Sequence, residues 1–167
     1  FWSDKTSTSD AGQVAFKGPL VIRKIALARP GDYPEGLIVP LGLLYLASYL
    51  RKKIPEIEFI VIDAPLEDLN DKEVAEKIRA FNPDLVGLTG LTYHTPHVQS
   101  SAREIKRLLP DVPIIAGGAG VSSDPADVLK EKAIDFGVLG EGEDAFYALI
   151  KIIEAGEVTD NLTSVAY

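Results

Sequence analysis

The sequence contains no cysteine and no methionine among its 167 residues. Without cysteine the chain forms no disulfide, binds no zinc ion or iron–sulfur cluster through thiolates, and offers no cysteine nucleophile. The missing methionine, the initiator included, leads us to expect a processed protein or an excised fragment. Basic side chains are also few, 17 against 25 acidic ones. The resulting net charge of −8 argues against broad electrostatic binding to nucleic acid or to an anionic membrane.

Long hydrophobic runs are absent as well. The longest apolar stretch, Gly36 to Leu50, is interrupted by Pro40 and is shorter than the ~20 residues that a membrane-spanning helix needs. Residues 1–18 lack the basic start and the apolar core of a signal peptide, and their polar composition predicts a flexible tail. We therefore expect one cytoplasmic domain over residues 19–167, in which the 46% of hydrophobic residues supply a full core.

The remaining sequence alternates strand-like with helix-like segments. Short β-rich runs predict strands at Val21–Ala28, Ile57–Ile62, Leu85–Thr89, Pro113–Ala116 and Ile134–Leu139. Apolar residues at helical spacing, or helix-capping residues, predict helices at Leu41–Lys53, Asn70–Asn82, Thr95–Leu109, from Asp124 onward, and at Asp144–Ala155. Five such units predict an α/β fold with a Rossmann-like, doubly wound five-stranded parallel sheet of order 2-1-3-4-5, between two layers of helices.

Glycine is concentrated in the loops that follow three of these strands, within Thr89–Thr95, Gly117–Ser123 and Gly140–Glu143. In a doubly wound sheet such loops share the carboxyl edge, where ligands bind. Each glycine taken singly is a common turn residue. Together, because glycine removes side chains that would collide with a ligand, they predict an extended ligand across this edge.

Several common motifs do not fit. Gly118-x-Gly120-x-x-Ser123 lacks the last glycine of a dinucleotide fingerprint, and it follows the fourth strand rather than the first. The phosphate-binding G-x-x-x-x-G-K-[ST] motif is missing. Thr89 stands where a phospho-receiver would have its acceptor aspartate, and we expect Asp63, after the second strand, to be a turn or helix-edge residue.

Titratable side chains near this edge leave two interpretations open. His94 and His97 have the spacing to share a metal ion at a helix start. The alternative, which we favour, is a pair of solvated or capping histidines at a pocket rim. Glu141 and Glu143 offer acid–base groups, although acidic residues here more commonly complement the N-terminus of the following helix.

Four segments, in their order and spacing, resemble the cobalamin (B12)-binding domain of B12-dependent radical S-adenosylmethionine (SAM) enzymes: Pro40–Ala47, Val86–Leu91, Ile114–Gly118 and Gly140–Glu143. The resemblance begins at about Val21 and implies cobalamin as the cofactor. It implies that the segment at Thr89 flanks the nucleotide tail and that Gly117 and Gly118 run along it. A branched side chain at Gly118 is therefore expected to block the cofactor and to leave the fold intact. The implied cofactor-binding residues, with no catalytic residue and no metal ligand, are Thr89, Gly90, Leu91, Thr92, Tyr93, Gly117, Gly118, Ala119, Gly120, Gly140, Glu141 and Gly142.

The sequence departs from the family pattern at two places. Many B12 modules carry D-x-H-x-x-G after the first strand, with a histidine that ligates cobalt, whereas Asp32-Tyr-Pro-Glu-Gly36 has no histidine. The resemblance then implies cobalamin held base-off, with its benzimidazole displaced and no histidine in its place. Gly120 stands where many relatives have the histidine of G-G-x-H, which would alter or loosen the site.

The resemblance thus implies a cofactor platform of a radical SAM methyltransferase or a related enzyme. The C-x-x-x-C-x-x-C cluster motif is absent with the cysteines, so the [4Fe–4S] cluster, SAM and the catalytic domain would belong to a part of the parent protein outside this chain. Two alternatives stay open: a non-catalytic α/β interaction module, and a flavin or nucleotide binder that uses the same edge.

Overall fold

The computed structural model describes residues 20–32, 39–156 and 165–166. The tail predicted at residues 1–18, and residues 33–38 of the loop before the first helix, lie outside this part of the chain. The strands within it are β1 (Lys24–Arg29), β2 (Glu58–Asp63), β3 (Leu85–Thr89), β4 (Ile114–Gly117), β5 (Phe136–Val138) and β6 (Val165–Ala166). The helices within it are α1 (Leu41–Lys53), α2 (Ala64–Glu67), α3 (Asp71–Phe81), α4 (Thr95–Leu108), α5 (Ala119–Ser123), α6 (Pro125–Val128) and α7 (Glu143–Ala155), with a 3₁₀ turn at Thr92–His94.

The strands form one sheet of order β2-β1-β3-β4-β5-β6. The first five are parallel, which confirms the predicted order 2-1-3-4-5. A sixth strand, β6, pairs antiparallel with β5 and makes the sheet mixed. It was not predicted because two residues are too few to show the alternation of a strand.

The long helices agree with the sequence pattern, and the short ones do not. α1, α3, α4 and α7 lie within one or two residues of their predicted bounds. The helix predicted from Asp124 is replaced by two short helices, α5 and α6, on either side of that residue. Asp124 itself is non-helical, and its side chain accepts a hydrogen bond from the Asp127 N–H to cap α6. A good N-cap residue therefore starts a new turn here rather than one long helix.

The core lies on both faces of the sheet, as the alternation of side chains in β1 shows. Ala26 and Ala28 pack with α3 and α4 on one face, and Ile25 and Leu27 pack with α1 and α7 on the other. All four are fully buried. Because the five parallel strands point the same way, the loops that follow them meet at one edge. No helix in the described residues is long and apolar enough to cross a membrane.

Candidate functional site

A cleft of about 180 Å³ opens at the carboxyl edge of the sheet, between the strand ends and helices α1 and α7. Its inner surface is aliphatic and aromatic. The lining residues are Leu27, Gly42, Leu43, Leu46, Gly87, Leu88, Thr89, Ile115, Gly117, Gly118, Val138, Gly140, Glu141, Gly142, Glu143 and Phe146. A cavity of this size and polarity has room for a flat aromatic ring, since a dry apolar cavity of about 150 Å³ holds benzene. We call it the larger cleft, to distinguish it from a smaller cavity that adjoins it.

Three glycines keep the larger cleft open. A Cβ atom built on Gly42 would meet no atom of the residues that the structure describes within 4 Å. On Gly117 and Gly142 it would lie 3.9 Å and 3.7 Å from the nearest atoms, both of Val138. Among residues 20–32, 39–156 and 165–166, no close contact at these three positions requires glycine. Their missing side chains leave free space at the rim, which is the arrangement a bound cofactor would need.

Gly118 is required for the backbone conformation of the loop after β4. Its φ of +90° with ψ of −172° belongs to a region that is essentially restricted to glycine. A Cβ built there would lie 2.5 Å from Thr89 Oγ1 and 3.1 Å from the Gly90 carbonyl oxygen. Gly118 therefore allows the loop after β4 to cross the end of β3 closely. A substitution at this position perturbs the fold together with the site, which goes against the expectation that a branched side chain would spare the fold.

A second cavity, of about 150 Å³, adjoins the first. It shares Gly42, Leu43 and Thr89 with the larger cleft. Its other lining residues are Arg29, Pro40, Gly90, Leu91 and Ala119. We call it the smaller cavity. The two together extend along the ends of β1, β3, β4 and β5, which suits one extended ligand.

Hydrogen bonds tie the glycine-rich loops to one another. The Gly120 N–H donates to the Gly90 carbonyl at 3.0 Å. The Ser122 hydroxyl donates to the Gly118 carbonyl and accepts from the Gly140 N–H, both at 3.0 Å. A Cβ on Gly120 would lie 3.1 Å from the Leu91 carbonyl oxygen. Glycine at position 120 thus permits a close backbone contact between the loops, and the expectation that it alters or loosens the cofactor site stays a prediction.

The predicted site residues fall into two groups. Three of the twelve do not line either cavity: Thr92 and Tyr93 lie on the exposed 3₁₀ turn, and Gly120 is buried behind the loops. Nine line the larger cleft or the smaller cavity: Thr89, Gly90, Leu91, Gly117, Gly118, Ala119, Gly140, Glu141 and Gly142. Their part in binding a cofactor stays a prediction.

Sequence reasoning missed the contribution of the opposite wall. Leu43 and Leu46 of α1, Phe146 of α7 and Leu27 of β1 line the larger cleft. Apolar residues in predicted helices and strands are indistinguishable from ordinary core residues. The signal that could have indicated this wall is Gly42. Glycine has a low helix propensity, so its presence in the first turn of a predicted helix suggests a reason other than helix formation.

The two histidines have different surroundings. Within the described residues, no group of three or more histidine or acidic side chains is placed to hold a metal ion. His94 is only 1% exposed, and its Nδ1 accepts a hydrogen bond from the Leu91 N–H at 3.3 Å. The capping interpretation therefore fits His94, but the ring is buried rather than solvated. His97 is half-exposed, and its Nδ1 faces a carboxylate oxygen of Asp71 at 3.3 Å.

Burial lowers the pKa of His94 below its ordinary value of 6.5. The hydrogen bond to the Asp32 carbonyl and the charge of Asp32 act in the opposite direction, whereas His97 and Arg29 add to the lowering. Loss of hydration is the largest of these effects, because a charged imidazolium is disfavoured away from water. His94 is accordingly neutral near pH 7.

These observations give the chain the fold of the doubly wound α/β class, in which ligands commonly bind at the carboxyl edge of the sheet, where the two cavities lie. Residues 31–150 match the family model described as the B12 binding domain. The match covers more than half of the chain, and the chain belongs to the B12-binding domain family.

Relatives in sequence agree with this assignment. An uncharacterised methyltransferase of Pyrococcus horikoshii is 33% identical over 129 residues, which is 77% of this chain and 28% of the relative. An anaerobic magnesium-protoporphyrin IX monomethyl ester cyclase of Rubrivivax gelatinosus is 34% identical over 127 residues, or 75% of this chain and 22% of the relative.

Solved structures support both family and fold. The radical SAM methyltransferase TsrM of Kitasatospora setae, with cobalamin and a [4Fe–4S] cluster bound, superposes with a TM-score of 0.73 and 25% identity over 87% of this chain and 29% of its own. The cobalamin-dependent radical SAM enzyme OxsB, with aqua-cobalamin bound, shares the fold with a TM-score of 0.71, at 18% identity over 87% of this chain and 21% of its own.

The predicted α/β fold, the resemblance to B12 domains of radical SAM enzymes and the cobalamin cofactor are confirmed by these comparisons. The chain spans less than a third of the length of each relative named above. With no cysteine, it has no thiolates for an iron–sulfur cluster.

Proposed function

We propose that this chain holds cobalamin base-off at the carboxyl edge of its sheet, with the nucleotide tail in the larger cleft, as the cofactor platform of a larger radical SAM enzyme. The observation that supports this most directly is the open rim at Gly42, Gly117 and Gly142, where side chains are missing and no atom of the described residues fills their place. When bound, cobalamin supplies a cobalt centre that carries a methyl group or an electron for chemistry in a neighbouring domain.

The lining of the larger cleft suits the benzimidazole end of the cofactor. Leu43, Leu88, Ile115 and Phe146 offer aliphatic and aromatic surface, which gains free energy when an apolar ring displaces water from it. The backbone of the glycine-rich loops stands at the rim, where the polar parts of the tail would meet hydrogen-bonding groups. The role that follows for these residues is to bind and orient the tail and to exclude water from it.

The side chains also support a cobalt without a histidine from this domain. Arg29 to Pro40 contains no histidine. Both ring nitrogens of His94 are engaged, Nδ1 with the Leu91 N–H and Nε2 with the Asp32 carbonyl at 3.0 Å. His94 is therefore unsuited to bind a metal without leaving its buried position, in agreement with base-off binding in which His94 does not replace the benzimidazole.

The charges around the larger cleft favour cobalamin over a dinucleotide. Among the described residues that line it, Glu141 and Glu143 are charged, and none is basic. A ligand with several phosphates would meet no cation there, and the carboxylates would repel it. Cobalamin carries one phosphodiester and a cationic cobalt centre. The carboxylates therefore repel it less than they repel a flavin dinucleotide or NAD.

A paired substitution in α1 tests the location of the site. Gly42→Leu places a branched side chain in the free space at the rim, and Ser48→Leu places the same side chain on another face of the same helix. Titration with hydroxocobalamin, followed by visible absorption, should give at least a tenfold weaker affinity for Gly42→Leu and an unchanged affinity for Ser48→Leu. Equal affinities would place the tail elsewhere. Binding of a flavin or NAD, but not of hydroxocobalamin, by the wild type would support the nucleotide-binding alternative, and binding of none of them the interaction module.

We extend the same proposal to the enzyme that contains this domain. TsrM, a radical SAM methyltransferase, matches the present chain along 29% of its own length. The proposed partner of this domain is therefore a radical SAM catalytic domain in the same protein, which would bring the cluster and SAM to the cobalamin. No interaction with nucleic acid or a membrane is proposed. A cytoplasmic location stays the prediction made from the sequence.

A further inference from the structure

His94 lies between two loops that come from different strands. It ends the 3₁₀ turn after β3, and its ring reaches toward the loop after β1. Nδ1 is 3.3 Å from the Leu91 backbone nitrogen, three residues earlier in the chain. Nε2 is 3.0 Å from the Asp32 carbonyl oxygen, 62 residues away in sequence. One buried ring therefore spans both loops.

The chemistry of the two partners decides the form of the ring. A backbone N–H can only donate, so Nδ1 must accept from Leu91 and carries no proton. A carbonyl can only accept, so Nε2 must carry the proton and donate it to Asp32. Both contacts are satisfied together by the neutral tautomer with hydrogen on Nε2. Protonation of Nδ1 would direct an N–H at another N–H and break the contact with Leu91.

The backbone of the loop after β1 rests directly on this ring. Gly31 has a φ of +101°, and a Cβ built on it would lie 3.1 Å from His94 Cδ2 and 3.3 Å from His97 Cδ2. Gly31 is itself buried. The glycine thus lets the loop approach the rings more closely than a residue with a side chain would allow. The start of the loop, at Gly31 and Asp32, therefore lies directly against the ring of His94.

We propose that His94 is a positioning residue of the cofactor site, whose neutral ring holds the loop after β1 against the loop after β3. Leu91, which donates to the ring, lines the smaller cavity together with Arg29 of β1, so this arrangement contributes to the shape of the cavity. The effect of the residue on cobalamin affinity rests on the proposed function above. Its effect on the two loops does not, because it acts in the cofactor-free chain as well.

The two contacts of His94 depend on the protonation state of its ring. The charged or titratable groups that face His94 are Arg29 of β1, Asp32 of the loop, Tyr93 of the same turn, with ring centroids 4.0 Å apart, and His97 of α4. Burial lowers the pKa of His94, which keeps the ring neutral near pH 7. On acidification the ring should take up a proton on Nδ1, lose its contact with the Leu91 N–H and loosen the junction between the two loops, which would weaken cofactor binding.

Two variants separate the two contacts. His94→Asn keeps an acceptor near the position of Nδ1 but is too short to reach Asp32. His94→Gln places an amide N–H near the position of Nε2 but has no acceptor for Leu91. In the cofactor-free chain, hydrogen exchange measured by NMR should accelerate at Gly31 and Asp32 in the first variant and at Leu91 in the second. Each should weaken hydroxocobalamin binding by about fivefold to tenfold, the effect of one lost hydrogen bond.

His97→Gln is the matched control. His97 touches the same loop, but it reaches the exposed carboxylate of Asp32 and not its backbone, with Nε2 and Oδ1 3.6 Å apart. It should change exchange and affinity less than either His94 variant. An equal change in all three would overturn the proposal, and so would unchanged exchange in both His94 variants.

A measurement on the wild type keeps the proposal falsifiable if the variants do not fold. The ring nitrogens of His94 should show the tautomer with hydrogen on Nε2, and a proton on Nδ1 at pH 7 would overturn the proposal. Failure of the proposed function looks different. In that case wild-type protein would bind no hydroxocobalamin, while the exchange pattern and the tautomer would still identify His94 as the residue that joins the loops.

Discussion

Arg29 and Asp63 are register partners at the carboxyl ends of β1 and β2, and their side chains form a buried bidentate ion pair. Arg29 Nη2 donates to both carboxylate oxygens at 2.7 Å, and Nε donates to Oδ1 at 2.9 Å. Both residues are about 5% exposed. Asp63 lies at the start of α2, the helix edge expected from the sequence, but its side chain serves Arg29, a residue of the smaller cavity.

Removal of the carboxylate should destabilise the domain strongly. Asp63→Ala removes the carboxylate that accepts three hydrogen bonds from the buried Arg29 guanidinium, and loss of one partner of a buried pair costs about 3–5 kcal/mol. Glu76→Gln removes the acidic partner of an exposed pair with Arg79 and should change the free energy of unfolding by less than about 1 kcal/mol. Urea denaturation of both variants checks this. Similar losses of unfolding free energy in the two variants would show that burial of the Arg29–Asp63 pair does not increase its contribution to stability.

Substitution of Gly117, the last residue of β4, and of Gly118, which follows it, should change the stability of the fold in opposite directions. Gly118→Ala forces a side chain into a glycine-only region of φ and ψ and against Thr89, so we expect a loss of about 1–3 kcal/mol. Gly117→Ala adds a methyl group in free space and should stabilise the fold by about 0.5 kcal/mol, since the unfolded chain loses freedom. The same methyl group narrows the larger cleft and should weaken hydroxocobalamin binding. Thermal unfolding and titration of the two variants, side by side, measure both effects.

Ser122 connects the loops after β4 and β5 through one hydroxyl. Ser122→Ala removes both hydrogen bonds, and we expect it to lower the free energy of unfolding by about 1 kcal/mol and to weaken cobalamin binding severalfold. Ser123→Ala, at an exposed position next to it, is the control and should leave both quantities unchanged. If Ser122→Ala binds hydroxocobalamin as tightly as the wild type does, the relative position of the two loops is unimportant for the cofactor.

The buried His94 should make stability depend on pH in mildly acidic solution. In the unfolded chain its pKa is the ordinary 6.5, and in the folded domain it is lower. Below pH 6.5 the unfolded state therefore binds more protons, so stability is fully present above 6.5 and falls as the pH drops through the pKa of the folded state.

Denaturation of the wild type and of His94→Gln at several values between about pH 8 and about pH 5 isolates this contribution from that of the carboxylates. The wild type should lose more stability than the variant across that interval. Parallel curves would mean that His94 titrates alike in the folded and unfolded chain.

The chain alone should not cleave SAM. Reductive cleavage requires a low-potential [4Fe–4S] cluster held by thiolates, and this sequence has no cysteine. An anaerobic incubation with reductant and SAM should yield no 5′-deoxyadenosine, with or without cobalamin. Product formed by this chain without a cluster-bearing partner would contradict its interpretation as a cofactor platform.

Local patterns predicted much of this fold. The apolar residues of α1 predicted its bounds, Leu41–Lys53, and the capping box of α3 is present, with the Asn70 side chain accepting from the Glu73 N–H. The order of the parallel strands followed from the regular alternation of strands and helices. These features depend on residues close in sequence, which is why the sequence alone contains enough information for them.

The parts that escaped prediction depend on contacts between distant residues. The Arg29–Asp63 pair joins two strands 34 positions apart, and no local pattern marks a charged side chain as buried. The wall formed by Leu43 and Phe146 becomes part of a cleft only when α1 and α7 come together over the sheet. His94 likewise acquires its role from Asp32, a residue that is far from it in the chain.

The scarcity of basic groups on the larger cleft determines which forces retain a ligand there. Glu141 and Glu143 are the charged residues of its described lining, so attraction between opposite charges contributes little to binding at this place. Dissolved ions weaken such attraction by screening it, but they do not weaken the removal of apolar surface from water. A ligand seated against Leu43, Ile115 and Phe146 is therefore held by shape and by dehydration, and ionic strength has little influence on whether it stays.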